Sequence, residues 1–238
     1  MRRPYLMLMI LGFGLMISGG CIDYSEEMHL NRDYSGTLTM SFAIAELYVG
    51  LSEDVGRTDN LFTEDGIRNR FKDIEGVEFL SSDIRKEEDV RYISITLKFD
   101  SLEAFDRISN AKSQTDFLGE INMTETEDGN VLFTRTVTLN KEKVENSHMS
   151  DRLLDEFSWL YTVHFPGMII RANTPESNID YDRNTVTWAY SMAVLGAGPE
   201  RMVVVFTPPE KPNYLMMVIA GLIFIVVFGL LYRTLRHM

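Results

Sequence analysis

Two uncharged, apolar segments lie at the two ends of this 238-residue chain and enclose a central stretch that carries every acidic residue. All 35 acidic side chains lie between Cys21 and Asn213, whereas four of the 23 basic side chains, all arginines, lie outside that stretch. The center therefore has 35 acidic and 19 basic residues, a formal charge of −16. Such a charge disfavours nucleic acid as a partner, because phosphate groups are bound by Lys and Arg.

The N-terminal segment has the pattern of a lipoprotein signal peptide. Two arginines precede an uncharged, mainly apolar run over residues 5–17, and two glycines precede Cys21. This end resembles a lipobox, in which the cysteine thiol carries the lipid after cleavage. Ser18 stands where a leucine is usual, so an uncleaved signal anchor is the alternative. We predict a signal peptide over residues 1–20 and lipidation at Cys21.

The C-terminal segment predicts a membrane helix. Residues 215–231 carry no charge, a tyrosine lies on each side, and arginines follow. With the two tyrosines, a helix of about 19 residues spans about 28 Å, close to the ~30 Å hydrocarbon core of a bilayer. The basic residues mark the cytoplasmic side. The sequence therefore predicts a transmembrane helix over residues 213–232, a cytoplasmic tail over residues 233–238 and an extracytoplasmic domain over residues 21–212.

The predicted domain is rich in strands. Polar and apolar residues alternate in several short segments joined by polar turns, which favours antiparallel hairpins. Residues 24–32 alternate poorly. The predicted strands cover residues 36–45, 77–84, 90–99, 117–123, 131–139, 159–165, 168–172, 185–192 and 202–206.

Three short helices are expected beside these strands. Thr63 is placed as the N-cap of a helix over residues 63–75, with Gly76 as its stop. Ser101 is placed to cap a second helix, over residues 101–108, and the third covers residues 151–157.

The predicted fold class is α+β: an antiparallel, strand-rich domain with short helices packed on one face. The chain has one cysteine, so the domain has no internal disulfide and no thiolate metal site. No long linker interrupts residues 24–207, which favours one domain. A break near residues 112–115 or 143–151 is the alternative.

Histidine and serine patterns give no catalytic or metal motif. His29, His148 and His164 are far apart in the chain and lack HxH or HExxH spacing, so no histidine metal site is expected. Ser109 and Lys112 match an SxxK pattern, but the companion SDN and KTG elements are absent. We therefore predict no catalytic residues, no metal and no cofactor.

Two further segments are interpreted as structural. Residues 178–184 offer an oxygen donor at every second position, as a Ca²⁺ loop would, but they lack the turning glycine and the closing glutamate of an EF-hand. A hairpin turn is the preferred interpretation. Residues 165–167, Phe-Pro-Gly, predict a turn with Gly167 at positive φ. Trp188 is expected in the core, with Trp159 as a neighbour.

The order of these features resembles the LppM-type lipoproteins of prokaryotic envelopes. It is carried by Cys21, Tyr34-Ser35-Gly36, the Phe-Pro-Gly turn at residues 165–167, Asn173 and the Thr-Val-Thr-Trp run at residues 185–188, followed by the predicted membrane helix. The resemblance implies a membrane-anchored α+β domain without enzymatic activity at the envelope surface. It implies no active-site residues.

The predicted function is that of a non-enzymatic binding module, anchored to the cell membrane, with an envelope protein or a lipid-like ligand as its partner. The alternative is an envelope hydrolase that uses two carboxylates as general acid and base. A deep pocket lined by paired carboxylates would favour the hydrolase, and a groove or an exposed patch would favour binding.

Overall fold

A computed structural model gives the structure of the chain. It describes residues 23–45, 63–110, 119–137 and 158–208, together with residue 224. The chain forms two units, Met1–Pro208 and Pro209–Met238, and Phe224 of the second unit lies in a helix. Within the described residues, no helix is both long and apolar enough to cross a membrane. Cys21 lies outside them, as does the predicted span apart from Phe224, so both anchors stay predictions.

Eleven strands, three short α-helices and a 3-10 turn are found in the described part of the chain. In chain order these are β1 (Asp23–Leu30), β2 (Gly36–Ala45), α1 (Glu64–Phe71), β3 (Val77–Glu87), β4 (Val90–Phe99), α2 (Leu102–Asn110), β5 (Glu120–Glu125), β6 (Val131–Val137), β7 (Ser158–His164), β8 (Ile169–Ala172), the 3-10 turn (Glu176–Asn178), β9 (Ile179–Asp180), β10 (Thr185–Ser191), α3 (Met192–Ala197) and β11 (Glu200–Phe206). The prediction of a strand-rich α+β domain is confirmed.

The strands form two sheets. Sheet A has seven strands in the order β3-β4-β2-β1-β7-β10-β9, and sheet B has four in the order β5-β6-β11-β8. All neighbours are antiparallel except β1 and β7, which run parallel, with His29 opposite His164. The expectation of antiparallel pairing is therefore wrong at this one pair. Parallel neighbours need a long crossover connection, and here it includes sheet B strands β5 and β6.

The core lies between the two sheets. Alternate residues of β4 are buried from Ile93 to Phe99, and alternate residues of β6 are buried from Val131 to Val137. Helix α2 adds Phe105, whose ring meets Phe99 edge-on at 5.7 Å between centroids. Trp188 and Trp159 are both buried, as predicted, and each stacks on Tyr161, at 5.7 and 5.8 Å.

Local signals set the starts of the first two helices. The Thr63 hydroxyl accepts a hydrogen bond from the Gly66 N–H at 3.2 Å, and the Ser101 hydroxyl accepts one from the Ala104 N–H at 3.2 Å. Both N-caps are therefore confirmed. Helix α1 ends at Phe71, four residues before its predicted end, because the next residues form tight turns.

Gly167 has a different role from the predicted one. Its φ is not positive; the glycines at positive φ in the described residues are Gly76, Gly119 and Gly129. Instead, a Cβ at Gly167 would lie 1.9 Å from the carbonyl oxygen of Thr207. The Thr207 N–H also donates to the Met168 carbonyl oxygen at 2.9 Å. Gly167 is thus required by close backbone approach, and the expectation of positive φ is wrong.

Candidate functional site

The side of sheet A that faces away from sheet B is an open, polar surface, which we call the open face. Strand alternation places one set of side chains there while their neighbours enter the core. These side chains are half-buried or exposed, and most are small and hydroxylated. The set includes Ser25, Glu27, His29, Thr37, Thr39, Ser41, Ala43, Tyr92, Ser94, Thr96, Leu160, Thr162, His164, Thr185 and Thr187.

Hydroxyl groups on the open face pair across neighbouring strands. Three such pairs hydrogen-bond, at 3.3, 3.1 and 3.1 Å: Thr39 with Thr96, Ser41 with Ser94, and Thr162 with Thr187. Each hydroxyl has one hydrogen but two acceptor lone pairs, so every pair keeps acceptor capacity for a ligand. The hydroxyl groups of the face are therefore hydrogen-bonded to one another and still present polar atoms outward.

A groove of about 330 Å³ lies where β2, β4 and β3 meet. Ser41 and Ser94 line it, together with the exposed ring of Tyr92. Asp83 and Arg85 form its charged rim, with 2.9 Å between the Asp83 Oδ2 and Arg85 Nε atoms. This volume is at the low end for small-molecule pockets, and its lining of ring, hydroxyls and one ion pair suits an amphipathic ligand.

Beside the groove, strand pairing brings Glu27, His29 and His164 together. Glu27 and His29 are two apart on β1 and so lie on one side, and His164 is the neighbour of His29 on β7. The two imidazole rings stack in parallel, with 3.8 Å between centroids and 2° between planes. Both Nε2 atoms lie near Glu27 Oε1, that of His164 at 2.8 Å and that of His29 at 3.2 Å.

This cluster is the one group of potential metal ligands found among the described residues. The hydrogen bond from His164 lowers the pKa of the Glu27 carboxyl, against a smaller opposing effect of burial, and the charge of His29 adds to the lowering. Thr185 orients His164 from behind, with 2.9 Å between its Oγ1 and the Nδ1 atom of the ring. The spacing of the histidines along the chain does not predict this site, because the pairing of β1 with β7 brings them together.

Under the open face, on its core side, lies a buried ion pair. Glu26 Oε2 and Arg135 NH1 are 2.6 Å apart, and both side chains are fully buried. Tyr24 donates to Glu26 Oε1 at 2.7 Å, and the Arg135 guanidinium lies 4.0 Å from the ring center of Tyr161. Burial alone opposes the charge on Arg135, but the Glu26 carboxylate keeps the pKa of Arg135 above its usual value. Burial also raises the pKa of Tyr161 to about 12.

This ion pair is a structural element and not a reactive site. Its atoms have no exposed surface, so a ligand cannot reach them. The pair joins β1 of sheet A to β6 of sheet B. The Arg135 guanidinium also packs against aromatic rings of the core. It therefore fixes the position of β1, the strand that carries Glu27 and His29 on its other side.

The remaining sequence candidates are structural or lie outside the description. Residues 181–184 form the turn between β9 and β10, which confirms the hairpin interpretation of the proposed calcium loop. Within it, the Asp180 carboxylate accepts from the Arg183 N–H at 3.0 Å. Ser109 lies in α2, and Lys112 and His148 are not among the described residues.

Comparisons with known proteins give one match. No family model matches the chain, and no curated protein does. A solved structure with similarity is the NMR structure of the folded domain of the LppM protein of Mycobacterium tuberculosis. The two chains are 11% identical, with a TM-score of 0.46, over 82% of this chain and 94% of that one. This distant similarity concerns the fold alone.

Proposed function

We propose that this protein is a membrane-anchored envelope lipoprotein whose extracytoplasmic domain is a non-enzymatic binding module. The ligand, a lipid-like molecule or an envelope protein, binds the open face of sheet A. The lipid at Cys21 and the helix over residues 213–232 hold the domain close to the outer side of one membrane, with the C-terminus in the cytoplasm. The observation that carries the proposal is the open face itself.

Three properties of the open face support binding. Each of its three hydroxyl pairs makes one internal hydrogen bond and keeps donor and acceptor capacity for the polar group of a ligand. Exposed apolar groups, Leu160 and Tyr92, lie among these polar groups. The groove beside Tyr92 gives this surface a cavity of about 330 Å³. An amphipathic molecule matches this mixture of polar surface and apolar contact.

Nothing in the described residues favours the hydrolase alternative. A carboxylate acid–base mechanism needs two carboxyl groups facing one cavity. Asp83 is the carboxylate that lines the groove, and it is bound to Arg85 at 2.9 Å. The buried carboxylate, Glu26, lies in the core and is bound to Arg135.

Photocrosslinking in living cells tests the proposal. The photoreactive amino acid p-benzoylphenylalanine replaces Tyr92 in the groove, and in a control chain it replaces Tyr181, an exposed tyrosine of the β9–β10 turn. Both substitutions exchange one exposed aromatic ring for another. We expect irradiation to attach a lipid or protein at position 92, and mass spectrometry of the product to tell these two apart.

A second substitution makes the result specific. Ser41→Arg fills the groove beside position 92 and should abolish the crosslink without removing any core contact, because Ser41 lies on the open face. Equal crosslinking at positions 92 and 181, or a product at position 92 that survives Ser41→Arg, would contradict binding at the open face.

A further inference from the structure

The geometry of the open face points to a second property, independent of the organic ligand. We propose that Glu27, His29 and His164 bind one divalent transition-metal ion of the zinc class. The potential ligand atoms, one from each side chain, lie within 4.8 Å of one another. They belong to two neighbouring strands of one sheet, so the backbone holds them in place before any ion binds.

The hydrogen bonds of His164 allow the tautomer that a metal ligand needs. The Thr185 hydroxyl has one hydrogen and can donate it to the Arg183 carbonyl oxygen at 3.2 Å. Its oxygen can then accept from the Nδ1–H of His164, 2.9 Å away. In that tautomer the Nε2 atom has a lone pair for a metal ion.

In that tautomer the Nε2 lone pair of His164 lies 2.8 Å from the carboxylate oxygen Oε1 of Glu27, which can only accept. The two atoms repel there unless a cation lies between them. In the other tautomer the Nε2–H donates to Glu27, and a metal ion would take the place of that hydrogen. The Nε2 atom of His29 lies 3.2 Å from the same oxygen. A single cation at this point would contact all three side chains.

The donor set selects the class of ion. Imidazole nitrogen and carboxylate oxygen together suit Zn²⁺ and its neighbours, whereas Ca²⁺ and Mg²⁺ prefer oxygen alone. In a tetrahedral site with bonds of about 2.0–2.1 Å, ligand atoms are about 3.3 Å apart, which is close to the separations seen here. The rings are stacked in parallel and must tilt so that both lone pairs converge on the ion; the χ2 torsion of histidine is broad and soft.

The surroundings also match a metal site. A histidine ligand usually donates a hydrogen bond from its other ring nitrogen, and this bond orients the ring. The Thr185 hydroxyl oxygen is placed to accept that bond from His164. His164 is 27% exposed, and Glu27 and His29 are 51% and 52% exposed, so one side of the ion would face solvent. A fourth ligand, water or a donor atom of a bound molecule, can enter there. The net charge of −12 attracts cations to the domain.

Titration with Zn²⁺ tests the inference. The untagged, full-length protein in detergent is titrated with Zn²⁺ in competition with a chromophoric chelator. We expect one ion per chain, and X-ray absorption at the zinc edge should show nitrogen and oxygen ligands including two imidazoles. His29→Ala and His164→Asn should each weaken binding by at least about tenfold, whereas His148→Ala, a control histidine, should leave it unchanged.

Substitutions of Thr185 test whether the two histidines form an oriented metal site or are neighbours by chance. Thr185→Val removes the hydroxyl that orients His164 while keeping the shape of the side chain, and should weaken Zn²⁺ binding by about tenfold. Thr185→Ser should restore it. Thermal unfolding curves, measured in a buffer that contains a metal chelator, verify that each variant is folded.

Two results would overturn the inference. One is a chain that binds no Zn²⁺ in this titration. The other is binding that His29→Ala and His164→Asn do not weaken. Neither result affects the crosslinking experiment, because the photoprobe lies in the groove and not in this cluster.

Discussion

Glu26 and Glu27 are adjacent in the chain but lie in opposite environments. Glu26 enters the core and contacts Arg135 at 2.6 Å, and Glu27 lies on the open face, half exposed. A charge in the core is tolerated only when it is paired, because removal from water costs several kcal/mol per ion. Replacing Glu26 and replacing Glu27 should therefore change the stability of the domain by different amounts.

Removing Glu26 should strongly destabilise the domain. Glu26→Leu leaves the Arg135 guanidinium buried without its carboxylate, and we expect the free energy of unfolding to fall by about 3–5 kcal/mol. Adding Arg135→Met should recover most of that loss, since apolar groups can replace a buried pair. The neighbouring control, Glu27→Leu, should cost less than about 1 kcal/mol in a metal-free buffer.

Urea unfolding of a fragment over residues 22–208 provides the measurement, because this fragment contains the described part of the first unit. Equal losses for Glu26→Leu and Glu27→Leu would contradict the assignment of Glu26 to the core. So would a double variant less stable than either single one.

At the level of elements, alternation along the chain predicts much of the fold. Strands β2 and β4 begin and end as predicted, because their core residues are apolar and their outer residues are mostly polar. The pattern of residues 24–32 does not predict strand β1, since the charged Glu26 occupies an inward position between Tyr24 and Met28. The sequence alone does not show that a distant arginine will pair with it.

The candidate site depends on the part of the topology that the sequence does not show. His29 and His164 meet only because β7 lies beside β1 in parallel, in a register that places His29 opposite His164, 135 residues later in the chain. The Glu27-Met28-His29 spacing places two types of metal ligand on one side of a strand, and this signal is visible in the sequence.

Helix α3 is not predicted from the sequence, because its N-cap, Ser191, falls within the predicted strand over residues 185–192.

The two sides of β2 should respond differently to one kind of substitution. Thr39→Lys places a charge on the open face, where water can solvate it, and should cost less than about 1 kcal/mol. Met40→Lys, one residue later, places the same charge in the core and should cost more than about 3 kcal/mol. Urea unfolding of the same fragment measures both, and similar costs would mean that the open face is covered.

At the scale of the whole molecule, the proposal requires two anchors. The single cysteine limits lipidation to Cys21, and the uncharged segment over residues 213–232 is predicted to cross the membrane. A domain held at both ends stays near one membrane surface, which raises its effective concentration for ligands in that membrane.

Removing the anchors one at a time tests this arrangement. Cys21→Ala should abolish incorporation of a labelled lipid but leave the protein in the membrane through its C-terminal helix. A chain that ends at Pro208 should also stay bound, through its lipid. We expect only the combination of both changes to release the domain, and cell fractionation measures this. Release by either single change would show that the other anchor does not hold the protein.

The central claim, that the open face binds a ligand in the native membrane, is tested most directly by thiol labelling. Cys21 is the only cysteine, and its lipidation would leave an introduced cysteine as the one free thiol. Thr96→Cys places it on the open face, and Thr136→Cys places a control on the outer side of sheet B. The rate of reaction with a maleimide is compared between native membranes and purified, delipidated protein.

We predict that labelling at position 96 is at least about tenfold slower in native membranes than in the purified protein, as a ligand of moderate affinity would cause. The rate at position 136 should be the same in both. Equal ratios at the two positions would contradict the account.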